Sequence, residues 1–203
     1  MTVMSYTLEF AKYLLGLRKA KTHDTERELT YLATLAQGKS CIVEVGVYEG
    51  VASRIFCQVM AKTGRLYLID PYFLDLKLEK LLGFSFPEYI AKQMVRDWGQ
   101  QLEFVRLTSV AAAKALPLQG QADLIFVDAQ HDYESVLQDF HTWTPMLTPQ
   151  GVMAFHDSCV CTARSDLHLE SGPVRLCEEI LQGLHGPWRI LDRVDSITVI
   201  GAT

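Results

Sequence analysis

The sequence has no apolar run that approaches the ~20 residues needed to cross a bilayer. It also has no run of basic residues, because 19 lysines and arginines stand against 24 aspartates and glutamates and give a net charge of -5. Proteins whose main partner is a nucleic acid usually present a basic surface. We therefore expect neither a membrane nor a nucleic acid as the main partner of this chain.

Features of exported, disulfide-stabilised or disordered proteins are also scarce. The five cysteines are odd in number, and Cys41 and Cys57 lie within apolar runs, which is typical of reduced thiols. Glu9 and Lys12 interrupt the stretch that would have to be the apolar core of a signal peptide. Hydrophobic residues make up 49% of the chain, enough for a sizeable core. These observations predict a cytoplasmic protein with a single domain over residues 1–203.

Apolar runs and helical patterns alternate from residue 41 onward. The runs are continuous, as expected of parallel strands that are covered on both faces, and their alternation with helices implies right-handed crossovers. The last two strands are too close in sequence to be parallel, so they form a hairpin. The sequence therefore predicts an α/β fold with a doubly wound, Rossmann-like, seven-stranded sheet, mostly parallel, with a C-terminal antiparallel hairpin. The predicted strands are Cys41–Val45, Leu66–Ile69, Leu102–Val105, Leu124–Val127, Val152–Phe155, Trp188–Leu191 and Ile197–Ile200, with a turn at Asp192–Asp195.

Helix signals are clearest in the first forty residues. Ser5 is a candidate N-cap for a first helix, and Thr25 with Glu28 forms a capping box for a second, which Gly38 follows. Residues 1–40 are therefore expected to add two N-terminal helices to the sheet. The other predicted helices are Val51–Ala61, Glu88–Trp98, Val110–Ala115, Tyr133–Trp143 and Val174–Leu184.

One segment, Pro71–Pro87, fits this alternation poorly. It is rich in leucine and phenylalanine and follows the second strand, at the edge where such sheets bind ligands. Two interpretations are open: a helix packed on the body of the domain, or a lid over a substrate.

A glycine turn follows the first strand. Gly46 and Gly50 have the spacing G-x-x-x-G, which lacks the middle glycine that lets a pyrophosphate approach. Glu44 in the same strand would repel a pyrophosphate and would suit a cation. Asp70, at the end of the second strand, is placed to accept hydrogen bonds from a ribose. A plain structural turn and a capping aspartate are the alternatives; together the features favour an adenosine ligand without pyrophosphate, such as S-adenosylmethionine.

Two further strand ends carry histidine and aspartate. Asp128 ends the fourth strand and His131 follows it, while His156 and Asp157 end the fifth. These ends open onto one crevice, so the side chains can converge on a divalent cation or perform acid–base chemistry. Alternatively, Asp157 caps the next segment and His131 bonds only to backbone.

The combined motifs resemble class I S-adenosylmethionine-dependent methyltransferases. The stretches that carry the resemblance are Val43–Gly50, Asp70, Asp123–Glu134 and Leu147–Asp157. Among these enzymes the sequence looks like methyltransferase family 24, in the branch of macrocin O-methyltransferases and cephalosporin-hydroxylase-like proteins.

The resemblance implies roles for particular residues. Ser109 would lie near the adenine and Asp70 at the ribose. Divalent cations such as Mg²⁺ or Mn²⁺ are held at matching positions in metal-dependent relatives, here Asp128, His156 and Asp157, although a carboxylate is common in place of His156. The implied cofactor-binding residues are Glu44, Gly46, Tyr48, Gly50, Ser53, Asp70, Ser109 and Asp128.

The activity expected from this resemblance is transfer of a methyl group to the oxygen of a small hydroxylated molecule. His131 is the first candidate for the base and His156 the second. The alternatives are a metal-assisted hydroxylase or hydrolase and a non-catalytic cofactor-binding protein. A homodimer is an alternative to a monomer, because N-terminal helices often pack against a second subunit. Cys159 and Cys161 lack a second ligand pair and indicate loop thiols, and four histidines are expected on the surface or in the core: His23, His141, His168 and His185.

Overall fold

The computed structural model describes residues 3–203, and side chains from Tyr6 onward. Within this part of the chain, seven strands form one sheet in the order β3-β2-β1-β4-β5-β7-β6. Neighbouring strands from β3 to β5 are parallel, and β7 is antiparallel to both β5 and β6. The predicted fold class is confirmed. The strands are β1 (Cys41–Val45), β2 (Arg65–Ile69), β3 (Leu102–Val105), β4 (Ala122–Val127), β5 (Leu147–Phe155), β6 (Trp188–Val194) and β7 (Ile197–Ala202).

Helices cover both faces of this sheet, and each face has its own core. One core centres on Trp143 and Phe140, and the other on Phe56 and Leu32, all of them buried. The α-helices are α1 (Val3–Leu14), α2 (Glu26–Ala36), α3 (Val51–Val59), α4 (Lys77–Leu82), α5 (Phe86–Met94), α6 (Ser109–Ala115), α7 (Tyr133–Trp143) and α8 (Gly172–Leu181), with 3₁₀ helices at Arg96–Gln101 and Thr144–Met146. None of the helices in residues 3–203 has the length and apolarity to span a bilayer.

Several predicted boundaries are wrong: β5 begins at Leu147 and not at Val152, and α5 ends at Met94 and not at Trp98. Helix α1 begins at Val3, so Ser5 lies inside the helix and not at its N-cap. Strand β6 extends to Val194, which shortens the predicted turn to the two residues between Val194 and Ile197. Asp195 adopts φ 50°, and a two-residue turn with positive φ matches the twist of paired strands, so pairing continues to the end of the hairpin.

The capping box of α2 also attaches this helix to the sheet. Thr25 Oγ1 accepts a hydrogen bond from Glu28 N, and Glu28 Oε2 accepts one from Thr25 N at 2.7 Å. Glu28 Oε1 then accepts hydrogen bonds from both the backbone and the hydroxyl of Ser196 in the β6–β7 turn. The capping box is confirmed. Its glutamate is buried between the start of α2 and the β6–β7 turn, and it accepts hydrogen bonds from both.

The segment Pro71–Pro87 forms α4 and then enters α5. Phe86 stacks on Phe10 of α1 with ring centroids 4.1 Å apart, and both rings are buried. The end of the segment is therefore packed on the body, as the first interpretation expects, and it holds α1 in place. Phe73, near its start, is 64% exposed; the movement of a lid stays a prediction.

Candidate active site

The carboxyl ends of β1, β2 and β4 surround two adjoining cavities. This is the point where the strand order reverses, because β1 lies between β2 and β4. The β2 cavity has a volume of about 380 Å³, and its walls include Asp70, Phe73 and Ser109. The loop cavity has a volume of about 280 Å³ and lies under residues 21–24, which precede α2. Gly46, Val47, Tyr48, Asp128 and Ala129 line both cavities.

Gly46 fixes how closely the turn after β1 approaches the turn after β4. Its φ is +92°, and a Cβ atom there would lie 2.0 Å from the carbonyl oxygen of Asp128. Its backbone nitrogen donates to Ile69 O at 2.9 Å. Only glycine fits this position, so the backbone itself forms the partition between the cavities.

Gly50 and Ser53, expected at the cofactor, lie behind the cavity walls. A Cβ atom on Gly50 would lie 2.9 Å from Ala91 Cα, so this glycine permits the close packing of α3 on α5. Ser53 is fully buried and donates to Glu44 Oε2 at 2.6 Å. Both residues support the turn through packing and are not among those that line the two cavities.

Glu44 lines the loop cavity but carries less charge than its sequence suggests. It is 1% exposed, and burial raises the pKa of its carboxyl well above the ordinary value. Burial also raises the pKa of Asp24 in the same wall. Burial acts in the same direction on Asp128, but interactions with His131 and His156 hold the pKa of Asp128 well below its usual range. Asp128 is therefore the carboxylate between the cavities that is ionised at neutral pH.

Asp70 organises the glycine turn. Its Oδ2 accepts hydrogen bonds from the backbone nitrogens of Val47 and Tyr48 at 3.1 and 3.2 Å, and its Oδ1 accepts one from Tyr72 N at 2.9 Å. A carboxylate has about four acceptor sites, so one remains for a ligand in the β2 cavity. The structural alternative for Asp70 is thus observed, and it leaves room for a ribose hydroxyl.

Ser109 begins α6 at the floor of the β2 cavity. Its hydroxyl accepts a hydrogen bond from the indole Nε1 of Trp143 at 2.8 Å and donates to Asp139. Burial raises the pKa of Asp139 to about 6. The serine is held by two buried partners, so its position is fixed before any ligand binds.

His156 lies in a ring of four carboxylates. Its Nδ1 is 3.1 Å from Asp128 Oδ1 and 3.3 Å from Asp157 Oδ1, and its Nε2 is 3.5 Å from Asp24 Oδ1 and 3.7 Å from Glu28 Oε2. Burial alone would lower the pKa of this imidazole, but the carboxylates raise it to about 11. His156 is therefore a buried imidazolium at neutral pH, and an imidazolium cannot act as the base.

The side chains around His156 are also the candidate ligands of a divalent cation. Asp24, Asp128 and His156 offer ligand atoms within 4.8 Å of one another, so Asp24 stands where the sequence predicts Asp157. Asp157 Oδ1 instead accepts a hydrogen bond from Arg164. Among the residues that the structure describes, Asp24 Oδ1 and His156 Nε2 have no hydrogen-bond partner, and they lie 3.5 Å from each other. An imidazolium has no lone pair for a metal ion, and Asp157 is bound to the Arg164 guanidinium, so the set as arranged does not fit a divalent cation.

His131 is accessible to a ligand. Its side chain is 49% exposed, with Nε2 3.5 Å from Asp128 Oδ1 and Nδ1 3.6 Å from Asp157 Oδ2. The contact with Asp128 raises the pKa of His131 above its ordinary value. His131 lines the loop cavity and also a third cavity of about 500 Å³ beside residues 164–173, here named the β5 cavity. It is the histidine of the cluster that can exchange a proton with a bound molecule.

The loop that closes the loop cavity was not predicted from the sequence. Lys21, His23 and Asp24 line it, and the His23 ring stacks on Tyr48 with centroids 5.9 Å apart. The loop is held by Glu49, which accepts two hydrogen bonds from the Arg18 guanidinium at 2.7 and 2.9 Å and one from Lys21 N. No local pattern marks these pairs, because Arg18 and Glu49 are 31 residues apart. His23 is exposed, as expected of a surface histidine, and it also lines the loop cavity.

The structure also places the remaining thiols and histidines. All five cysteines are free, Cys159 and Cys161 among them, as expected of loop thiols. His141 and His185 lie against Phe140, away from the cavities, whereas His168 lines the β5 cavity.

Comparison with known proteins agrees with this fold. An O-methyltransferase of Streptomyces achromogenes, TomG, involved in tomaymycin synthesis and solved with S-adenosylmethionine, is 16% identical, with a TM-score of 0.66 over 100% of this chain and 90% of that one. A methyltransferase of Geobacter sulfurreducens is 17% identical, with a TM-score of 0.58 over 100% of this chain and 88% of that one. The uncharacterized protein y4gI of Sinorhizobium fredii is 31% identical over an alignment of 122 residues, and the match covers 58% of this chain and only 13% of that protein.

The fold and the cavities define a doubly wound α/β protein with a ligand site at the switch point of its sheet. Residues 43–158 match the family model described as a methyltransferase domain. The chain belongs to this methyltransferase family, as its motifs indicate. The narrower macrocin-like branch stays a prediction.

Proposed function

We propose that the chain is an S-adenosylmethionine-dependent methyltransferase that acts on the oxygen of a small hydroxylated molecule. The observation that supports this most directly is the pair of adjoining cavities that share Gly46, Tyr48 and Asp128. A bent ligand with a nucleoside at one end and an amino acid at the other would occupy both. The family match and the solved neighbours favour the same ligand.

The adenosine would occupy the β2 cavity. Asp70 has one acceptor site left for a ribose hydroxyl, and Ser109, in the same cavity, would lie beside the adenine. The absence of a middle glycine in the turn fits a ligand without pyrophosphate.

The methionine part would occupy the loop cavity. Its ammonium and sulfonium groups carry positive charge, and Asp128 supplies the negative charge between the cavities, with Asp24 beside it. Lys21 lines the same cavity, with its Nζ 2.8 Å from Glu9 Oε2, and would receive the carboxylate.

In the reaction that we propose, His131 accepts the proton of the acceptor hydroxyl. The oxygen forms a bond with the methyl carbon, the bond from that carbon to sulfur breaks, and its electron pair stays on sulfur to give S-adenosylhomocysteine. His131 must be neutral to do this. Since Asp128 raises its pKa, the rate should increase with pH until the pH exceeds that raised value.

The test combines binding with turnover. Calorimetric titration with S-adenosylhomocysteine should show one site per chain, and methyl-labelled S-adenosylmethionine should transfer label to members of a panel of phenols and sugars. Asp128→Asn should weaken binding, whereas Asp132→Asn, which changes the exposed N-cap of α7, should not. Failure of the wild-type chain to bind the nucleoside would refute the proposal.

A further inference from the structure

We propose that Arg164 binds the acceptor oxygen in the β5 cavity and takes the place that a divalent cation has in metal-dependent relatives. This inference rests on the proposed function and adds to it the acceptor site and the group that stabilises the acceptor's charge. The acceptor class that it favours is a hydroxyl that ionises readily, such as a phenol or an enol.

The position of Arg164 carries the inference. Its Nη1 donates to Oδ1 of Asp157, the carboxylate at the end of β5 where a metal ligand was expected. Its Nε and Nη2 donate to the two carboxylate oxygens of Asp166 at 3.0 and 2.9 Å. The side chain is 19% exposed, so Asp166 holds the guanidinium in one orientation against Asp157.

This guanidinium has hydrogen-bonding capacity to spare. Arginine offers five N–H donors, of which the contacts with Asp157 and Asp166 use three. The two that remain, one on Nη1 and one on Nη2, belong to a side chain that lines the β5 cavity. Paired N–H groups with a fixed positive charge suit a phenolate or enolate oxygen.

The β5 cavity places that oxygen beside the base. Its volume of about 500 Å³ is in the range of small-molecule sites. His131 lies in the same wall and approaches the other oxygen of Asp157, so His131 and Arg164 flank one carboxylate. Gly172 packs directly on the backbone of His131 in this wall. A Cβ atom at Gly172 would lie 2.5 Å from the carbonyl oxygen of His131, so no larger residue fits there.

The chemistry needs no further reactant. Arg164 would stabilise the negative charge that develops as the acceptor hydroxyl gives its proton to a ring nitrogen of His131. The oxygen then takes the methyl group, and the electron pair of the broken carbon–sulfur bond stays on sulfur. A divalent cation at Asp157 would be repelled by the guanidinium, so the two are alternatives at this position.

Arg164→Met tests the inference, with Arg164→Lys as the conservative variant. Arg193→Met is the matched control, because Arg193 is a partly buried arginine whose ion pair with Glu178 lies outside the cavities. S-adenosylhomocysteine affinity is measured first for every variant, and Mn²⁺ is titrated alone by calorimetry. Label transfer is then measured with and without EDTA.

We expect wild-type transfer to persist in EDTA and Mn²⁺ not to bind. Arg164→Met should bind the nucleoside normally but transfer label about 100-fold more slowly, as when one donor to a developing oxyanion is removed. Arg164→Lys should recover part of this loss, and Arg193→Met should match the wild type.

Two results would overturn the inference while the proposed function stands. One is stoichiometric Mn²⁺ binding to the wild type with loss of transfer in EDTA; the other is full activity of Arg164→Met. Absence of nucleoside binding would instead remove the proposed function, and the inference with it.

Discussion

Replacement of Gly46 by alanine tests whether both cavities depend on the close contact between the backbones of Gly46 and Asp128. A Cβ atom at this position would lie 2.0 Å from the carbonyl oxygen of Asp128. A carbon and a carbonyl oxygen ordinarily approach to about 3.3 Å, so the two turns would have to separate by more than about 1 Å. Neither atom belongs to a flexible side chain, so the strain has to be relieved by backbone movement.

Gly83 provides the matched control. It also has a positive φ, +77°, but a Cβ atom there would have no atom of the described residues within 4 Å. Gly83→Ala should therefore show only the backbone cost, about 1 kcal/mol of unfolding free energy. Gly46→Ala adds the steric conflict, for which overpacking costs of up to about 3 kcal/mol are usual, so its total should be about 4 kcal/mol.

Urea unfolding followed by circular dichroism gives both values. Without urea, Gly46→Ala should also transfer methyl groups on the order of 100-fold more slowly than the wild type, because the substitution displaces the groups that would hold the cofactor. Equal losses of stability in Gly46→Ala and Gly83→Ala, with full affinity of Gly46→Ala for S-adenosylhomocysteine, would contradict this reasoning. The close approach at Gly46 would then not shape the cofactor site.

Three other changes probe separate parts of the account. His131→Gln should lower methyl transfer by at least about 100-fold with nucleoside affinity intact, whereas His141→Gln on the outer side of α7 should change neither; an unchanged rate removes His131 from the mechanism. Asp139 has a pKa of about 6 in the folded chain against 3.8, so its stabilising contribution is complete below pH 3.8 and is lost as the pH rises through 6. Asp139→Asn should therefore be up to about 3 kcal/mol more stable than the wild type at pH 8, a difference that disappears near pH 4 in urea unfolding; equal stability at both pH values would contradict this. Phe10→Ala removes the ring that stacks on Phe86 and should cost about 3 kcal/mol of unfolding free energy, with faster amide exchange in α1, and a loss below about 1 kcal/mol would mean that α1 is not held by this contact.

The fold follows from local signals in the sequence. Continuous apolar runs marked the buried parallel strands, and the capping box of Thr25 and Glu28 marked the start of α2 to the residue. The boundaries that were wrong depend on other elements: β6 is longer than its apolar run because pairing with β7 continues through Asp192 and Val194.

The site was only partly accessible to sequence reasoning. Gly46, Asp70, Asp128 and His131 end or follow strands, so topology alone brings them to one edge. The charge states could not be read from the sequence, because they depend on burial.

Two residues of the site, Asp24 and Arg164, could not be predicted from the sequence. Asp24 reaches the centre from the loop before α2, and Arg164 reaches Asp157 from an irregular segment. No periodicity or spacing predicts these contacts. Both are set by tertiary packing.

The most direct test of the account is a crystal structure of the chain with S-adenosylhomocysteine. We expect the adenine beside Ser109, the ribose at Asp70 and the amino acid end beneath the loop, between Lys21 and Asp24. A nucleoside bound elsewhere, or bound in the reverse direction with its amino acid end at Ser109, would contradict the central claim that the two cavities form one cofactor site.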